Sequence, residues 1–401
     1  MALTTQATVD IEKLVHGGEG LGRLDGQVVL VPYVLPGERV SLISERVKSG
    51  LLRGSATEVL QASPERVVPR CEYFTACGGC HLQHAAYGLQ LEQKRAILRE
   101  TLQRLGGIRY TADIPVTSGE PWSYRNRVQL HFKDGKCGFH RAASHEIEPI
   151  DHCHISSPMV VETIARLAAA AKRAEWPKFL RSLEVFTNES EVQLTVLESN
   201  QPVAARFFEW TKTFLPVAQS AIEYPAAGYV FRISRGSFFQ TNRFLIEALV
   251  QEAIGGETGG HAVDLYAGAG LFSLPLARSF ERVDAIERGG PAFRDLEWNA
   301  TRDGASRLTI RRASAEEFLR ELTTPPELIV ADPPRSGLGS ETVKELLRLR
   351  PARLTVVSCD ASTLARDLKK LLAGGFQIAG LRLVDLFPQT YHFETIASLE
   401  S

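Results

Sequence analysis

The chain has 401 residues, of which 44% are hydrophobic and 23% charged, with a net charge of −1. That length suits two or three domains of ordinary globular composition. A balance so close to neutral excludes the overall basic footprint of many nucleic-acid binders, so any such role must rest on a local patch.

Residues Met1–Thr8 lack a basic region followed by an apolar core. The longest apolar run, Leu265–Ala277, holds two glycines and a proline and is too short to span a bilayer. A cytoplasmic protein without a membrane partner is expected. From residue 8 to about 60, apolar and polar residues alternate between turn signals such as Gly17-Gly18-Glu19-Gly20 and Pro36-Gly37. The pattern predicts a small closed β-barrel over residues 1–62, with the strand returning after Gly50. Barrels of the oligonucleotide-binding type present a strand face to RNA, and a structural or dimerising module fits the pattern equally. Pro64–Pro69 reads as a linker.

Six cysteines are present, and Cys71, Cys77 and Cys80 follow the spacing C-x5-C-x2-C. In a cytosolic protein such a cluster points to metal ligands rather than disulfides. Glycines between Cys77 and Cys80 let the backbone wrap a centre, and Cys153 is the natural fourth donor. Spacing does not separate zinc from iron–sulfur, and His81, His84, His152 and His154 could serve a zinc site. Cys137 reads as core.

Leu89, Leu91, Ile97, Leu98, Leu102 and Leu105 predict an amphipathic helix over 86–106 that packs on a neighbouring domain. A hairpin follows, Trp122–Phe132 turning at Asp134-Gly135 into Cys137–Arg141. Arg125 and Arg127 on one strand face suit RNA phosphates and unstacked bases, or are ordinary exposed arginines. An α+β stretch covers 158–235, and Gln240 and Asn242 follow two aromatics at a strand end, where amides could read a ligand. From Arg243 onward, βα units repeat and predict a doubly wound, Rossmann-like parallel sheet.

Within that sheet, Asp264-Leu-Tyr-Ala-Gly268-Ala-Gly270 runs a strand into a glycine turn, and Glu287 ends the next strand, where it can take both hydroxyls of a ribose. Ser273 replaces the third glycine of a dinucleotide fingerprint and no phosphate-binding lysine follows, so S-adenosylmethionine fits better than NAD. Asp332-Pro-Pro-Arg335 ends another strand. The strand Leu354–Val357 leads to Cys359, with a helix starting just after it. A thiol at the carboxyl end of such a sheet is placed for chemistry, and three acids at the same rim make a purely structural cysteine the weaker reading.

Together these residues resemble the RNA uracil-C5 methyltransferases, the family of bacterial 23S rRNA and tRNA T-loop enzymes. The likeness spans nearly the whole chain. It joins a TRAM-type barrel, the Cys71–His84 segment, Phe238-Phe-Gln-Thr-Asn242, the glycine turn, Asp332-Pro-Pro-Arg335, Val357-Ser-Cys-Asp360 and His392-Phe-Glu394. The resemblance implies three parts: a TRAM-like RNA-binding barrel at 1–62, a central α+β iron–sulfur domain at 63–242, and a methyltransferase domain at 243–401. It implies a [4Fe–4S] cluster on Cys71, Cys77, Cys80 and Cys153, with zinc as the lesser choice. It implies S-adenosylmethionine contacts from Gln240, Tyr266, Gly268, Gly270, Glu287 and Asp332, with Cys359 as nucleophile and Glu394 as base. A monomer acting on a flipped uridine in 23S rRNA is expected. The alternatives are a tRNA T-loop uridine, or an amino-methyltransferase, against which Arg335 stands where an aromatic residue would suit. Leu271 and Ser314 depart from asparagines common in the family. The chemistry asks for an activated thiolate at Cys359, because uracil C5 attacks a methyl sulfonium only after C6 has been attacked.

Overall fold

The computed structural model describes residues 5–46 and 51–401; the first four residues, and the turn read as ending at Gly50, lie outside them. Strands Thr5–Leu14, Gly20–Leu24, Gln27–Val31, Arg39–Arg46 and Leu52–Gln61 close into a barrel, the fifth lying between the third and fourth. Val9, Ile11, Val29, Val31, Val40 and Leu42 fill its interior. The strand Gly20–Leu24 starts at the last residue of the turn signal Gly17–Gly20. A Cβ on Gly22 would stand 2.3 Å from Val9 Cγ1, so only glycine permits the strands to cross this closely. The linker is bolted to the barrel by Arg66, which pairs with both carboxylate oxygens of the buried Glu38 at 2.5 and 2.7 Å.

A five-stranded antiparallel sheet follows, in the order Val192–Ser199, Leu180–Thr187, Arg127–Lys133, Lys136–His140, Ile147–Pro149. The helix Pro158–Ala170 packs its Val160, Ile164 and Leu167 into the same core, which also contains Cys137. Asp134 and Gly135 both take positive φ, as a two-residue hairpin turn requires.

Three sequence expectations are corrected here. The strand begins at Arg127 rather than Trp122, and Arg127 is no RNA contact. It is 7% exposed, ion-paired to Glu184 at 3.0 Å, bonded to Ser237 O and stacked over Phe186. Asn242 does not face a ligand either. It is buried, donates to Leu386 O at 3.0 Å and accepts from Phe244 N.

The C-terminal sheet has eight strands: Leu308–Arg312, Phe280–Glu287, Gly259–Leu265, Leu328–Ala331, Arg353–Ser358, Glu394–Glu400, Gln377–Val384 and the two-residue edge Val116–Thr117. The first five are parallel to one another, and Glu394–Glu400 runs antiparallel to both of its neighbours. Alternate residues feed opposite faces. Ile329 and Ala331 join one core with helices Ser340–Leu349 and Ala361–Ala373; Leu328 and Val330 join the other with helix Ile246–Ile254.

Onto the first face also packs the helix Tyr87–Thr101, which ends in a π-turn, Leu102–Gly106. Its buried face is Gln90, Lys94, Ile97, Leu98 and Thr101, whereas Leu105 is 54% exposed. Ile97, Leu98 and Leu102 of the expected stripe are buried, Leu105 is not, and the long polar side chains of Gln90 and Lys94 share the buried side.

Candidate active site

Sheet order brings the chemistry together. Glu287 ends its strand, Asp264 is next to last in its own, Asp332 directly follows Ala331 and Cys359 directly follows Ser358. These are four adjacent strands, and their carboxyl ends form one rim. Glu394 opens the fifth adjacent strand. Because that strand is antiparallel, its first residue stands at the same rim.

The glycine turn is tight. Tyr266, Gly268 and Gly270 all take positive φ, and a Cβ on Gly270 would meet Leu296 Cδ1 at 2.9 Å. Glu287 braces the turn, accepting from Gly268 N at 3.0 Å and Gly289 N at 3.3 Å. A carboxylate with about four lone-pair sites still has capacity for a diol. Asp264 is fully buried; Ser273 Oγ donates to its Oδ2, and its Oδ1 has no partner among the described residues. Burial pushes its pKa up to about 7. Gln240 is 6% exposed, and its side-chain amide makes no hydrogen bond to the described residues. Tyr266 is half-buried beside Thr342 and Leu338. A glycine cradle, a braced acid and unspent buried acceptors fit a nucleoside-bearing methyl donor.

At the other end of the rim, Asp360 caps the helix Ala361–Ala373 through Ser362 N and Thr363 N at 2.9 and 2.8 Å. This turns the chain sharply at Cys359, which stays half-buried. Burial and then the nearby Glu394 carboxylate push its thiol up to about 11, with Arg335 opposing. The expectation of a thiol activated by its surroundings is thus not met in the free protein. Asp332 is half-buried as a residue with its carboxyl group enclosed, and burial raises its pKa. Burial, then Asp332, raises Glu394 well above the ordinary carboxylate range, and Arg335 pulls it down. Arg335 thus acts on thiol and base together; its only sequence signal was the acid-Pro-Pro turn before it.

Cys71, Cys77, Cys80 and Cys153 line a single cavity of about 510 Å³ between barrel and central sheet. Tyr73, near Cys71, ties Asp151, near Cys153, at 2.9 Å. Gly79 N approaches Cys77 Sγ at 3.4 Å. A zinc ion needs four donors at about 2.0–2.3 Å from one point. Among the described residues no three His, Cys, Asp or Glu side chains gather to hold a metal ion. A four-iron cluster asks instead for four thiolates, each on a different iron. Ser314 caps helix Ala315–Glu321 in a reciprocal box with Glu317, which explains a serine there without reference to a cofactor.

Parallel sheet, glycine cradle and rim acids define a Rossmann-like methyltransferase carrying an N-terminal barrel. A family model described as tRNA (Uracil-5-)-methyltransferase matches residues 215–401, and the TRAM domain model matches 5–57. An uncharacterised RNA methyltransferase of Aquifex aeolicus is 31% identical, over 97% of each chain. The 23S rRNA (uracil(1939)-C(5))-methyltransferase RlmD of Shewanella amazonensis is 30% identical, over 99% of this chain and 96% of its own. The crystal structure of Pyrococcus abyssi tRNA (uracil-54, C5)-methyltransferase with S-adenosyl-L-homocysteine superposes with a TM-score of 0.74 at 27% identity, over 98% of this chain and 100% of its own. The chain belongs to the RNA uracil-C5 methyltransferases, enzymes that use S-adenosylmethionine. Among the described residues no helix is long and apolar enough to cross a membrane.

Proposed function

We propose that the protein methylates C5 of a flipped uridine in 23S rRNA through a covalent bond between Cys359 Sγ and C6 of the base. The observation that carries this reading is the meeting of a thiol and a raised carboxylate, Cys359 and Glu394, on adjacent strands at the rim that ends the donor cradle. S-adenosylmethionine, when bound, supplies an electrophilic methyl group. Gly268, Gly270 and Glu287 would hold its nucleoside end, with Gln240, Tyr266 and Asp332 at the pocket wall.

The Cys359 thiolate adds to C6, and the ring electrons pass to an enolate at O4, which makes C5 nucleophilic. Once C5 carries the methyl group it is tetrahedral and still holds its proton. Glu394 takes that proton, the C5–C6 double bond reforms, and the C6–S bond breaks to return the thiolate. The raised pKa of Glu394 suits it to accept a proton. The ribosomal target is supported by the Shewanella relative, 30% identical over nearly the whole chain; the Pyrococcus tRNA enzyme supports a tRNA uridine as the second reading. Mapping 5-methyluridine by mass spectrometry in a deletion strain is expected to show one site lost from 23S rRNA and none from tRNA; loss from tRNA alone overturns the choice.

The four-thiol cavity is assigned to a [4Fe–4S] cluster, which would brace the segment Cys71–Cys80 against Cys153. The domain limits 1–62, 63–242 and 243–401 belong to the same proposal, with the protein acting as a monomer. Anaerobically purified protein is expected to carry about four irons and four acid-labile sulfides per chain. One zinc and no sulfide would instead make the site mononuclear.

A further inference from the structure

Glu394 Oε2 is buried without a hydrogen-bond partner among the described residues. No described side chain fixes that oxygen, so its place is set by the backbone on either side. After it runs the strand paired with Arg353–Ser358. Before it runs an irregular segment, 385–393, tied to the sheet at its start, where Asp385 N donates to Thr117 O at 2.9 Å.

Four consecutive carbonyls in this segment are each taken by donors from far away in sequence. Leu386 O accepts from Asn242 Nδ2, Phe387 O from Lys94 Nζ and Pro388 O from the Tyr124 hydroxyl, each at 3.0 Å. Gln389 O accepts from His81 N and Leu82 N, both at 2.9 Å. Gln90 closes the set. Its amide donates to Gln389 Oε1 at 3.0 Å and to the carbonyls of Leu82 and Ala85, while its oxygen accepts from Gln389 N at 3.0 Å. Gln389 sits at φ 67°, a conformation that a non-glycine residue keeps only where its surroundings over-determine it. Lys94, Tyr124, Gln90 and Gln389 are each no more than 3% exposed.

We propose that Gln90, Tyr124 and the backbone just after Cys80 are positioning elements for Glu394: the cysteine-bearing segment places the proton acceptor by gripping Gln389. This rests on the reading of Glu394 as the base. Thiolate addition and methyl transfer depend on other elements, namely the strand leading to Cys359 and the glycine cradle. Loosening the grip therefore slows proton removal selectively, and a misplacement of about 1 Å is enough to cost on the order of 100-fold.

The test uses the full-length holoenzyme and RNA tritiated at uridine C5. Tritium release reports proton removal, methyl incorporation reports transfer, and a denaturing gel reports the covalent complex. Tyr124→Phe keeps the ring and removes a single oxygen; Gln90→Met keeps the length and removes the amide. Both are expected to form the methylated complex at the wild-type rate, with donor affinity unchanged by calorimetry. Both should then release tritium about 10- to 100-fold more slowly, so the covalent band accumulates as in Glu394→Gln. The proposal is overturned if Glu394→Gln accumulates the band and neither variant does. It is also overturned if addition, transfer and release fall together, which is the signature of a merely structural role. Normal tritium release by Glu394→Gln would show that the base itself was misassigned, and the positioning claim would fall with it.

Discussion

Cys359→Ala is expected to lose methyl transfer by about a million-fold, the scale on which deleting a covalent nucleophile disables an enzyme whose groups act as a unit. It is also expected to lose the complex that wild-type enzyme traps on RNA carrying 5-fluorouridine. Fluorine at C5 cannot leave as a cation, so Glu394 has no proton to remove and the C6–S bond persists. The alanine keeps the half-buried strand end and the Asp360 cap, so donor binding should survive. An amino-methyltransferase would keep its activity in this variant, which makes the experiment decisive between the two chemistries. The pH profile adds a second signature. With the thiol held up to about 11 by burial and Glu394, only roughly one in ten thousand is ionised at neutral pH. Because the working pH lies below that value, raising it increases the thiolate fraction. Adduct formation should climb towards about tenfold per pH unit between roughly pH 6.5 and 8.5. A flat profile with full trapping would show that RNA binding itself delivers the thiolate.

Much of the catalytic sheet was legible because its signals are local. Leu328–Ala331 is a short all-apolar run, and Ala315–Glu321 is opened by a serine with a glutamate three residues on. The rim of Asp264, Glu287, Asp332 and Cys359 follows from the rule that parallel strands present their carboxyl ends together. The direction of Glu394–Glu400 was not readable. Its insertion beside Arg353–Ser358 is a choice of tertiary packing, yet that choice alone brings residue 394 to the rim.

The errors share one physical origin. Arg127 and Asn242 looked free because the partners that bury them, Glu184 and Leu386 O, lie 57 and 144 residues away. The thiol looked activated because its neighbour Glu394 is remote in sequence, and desolvation leaves no local mark. In the helix Tyr87–Thr101, the apolar stripe was right at Ile97 and Leu98 but overlooked the polar residues that share their buried face. The available signal was Gln90 and Lys94, four residues apart and in line with Ile97, Leu98 and Thr101. Two long polar side chains on the face that otherwise buries apolar residues mean that the opposing surface offers carbonyls or a countercharge.

That countercharge gives a large expected stability effect. Lys94 and Asp385 are both fully buried, with Nζ 2.5 Å from Oδ1, and the second carboxylate oxygen accepts from Tyr87 OH at 2.9 Å. Burial pushes the Lys94 ammonium pKa down and Asp385 opposes it, so the Lys94 charge depends on its partner. Lys94→Met leaves a buried carboxylate with one hydroxyl, and Phe387 O loses a donor. Breaking one side of such a pair costs about 3–5 kcal/mol, read as a lower urea midpoint at unchanged slope. The double variant Lys94→Met, Asp385→Leu removes both charges and should recover most of that loss, since an apolar replacement of a buried pair is often neutral. It will not recover the bond to Phe387 O, so the stability returns while the segment leading to Glu394 stays slack. Equal midpoints for wild type and Lys94→Met would mean that the pair is hydrated in solution and that helix and segment are not locked as described.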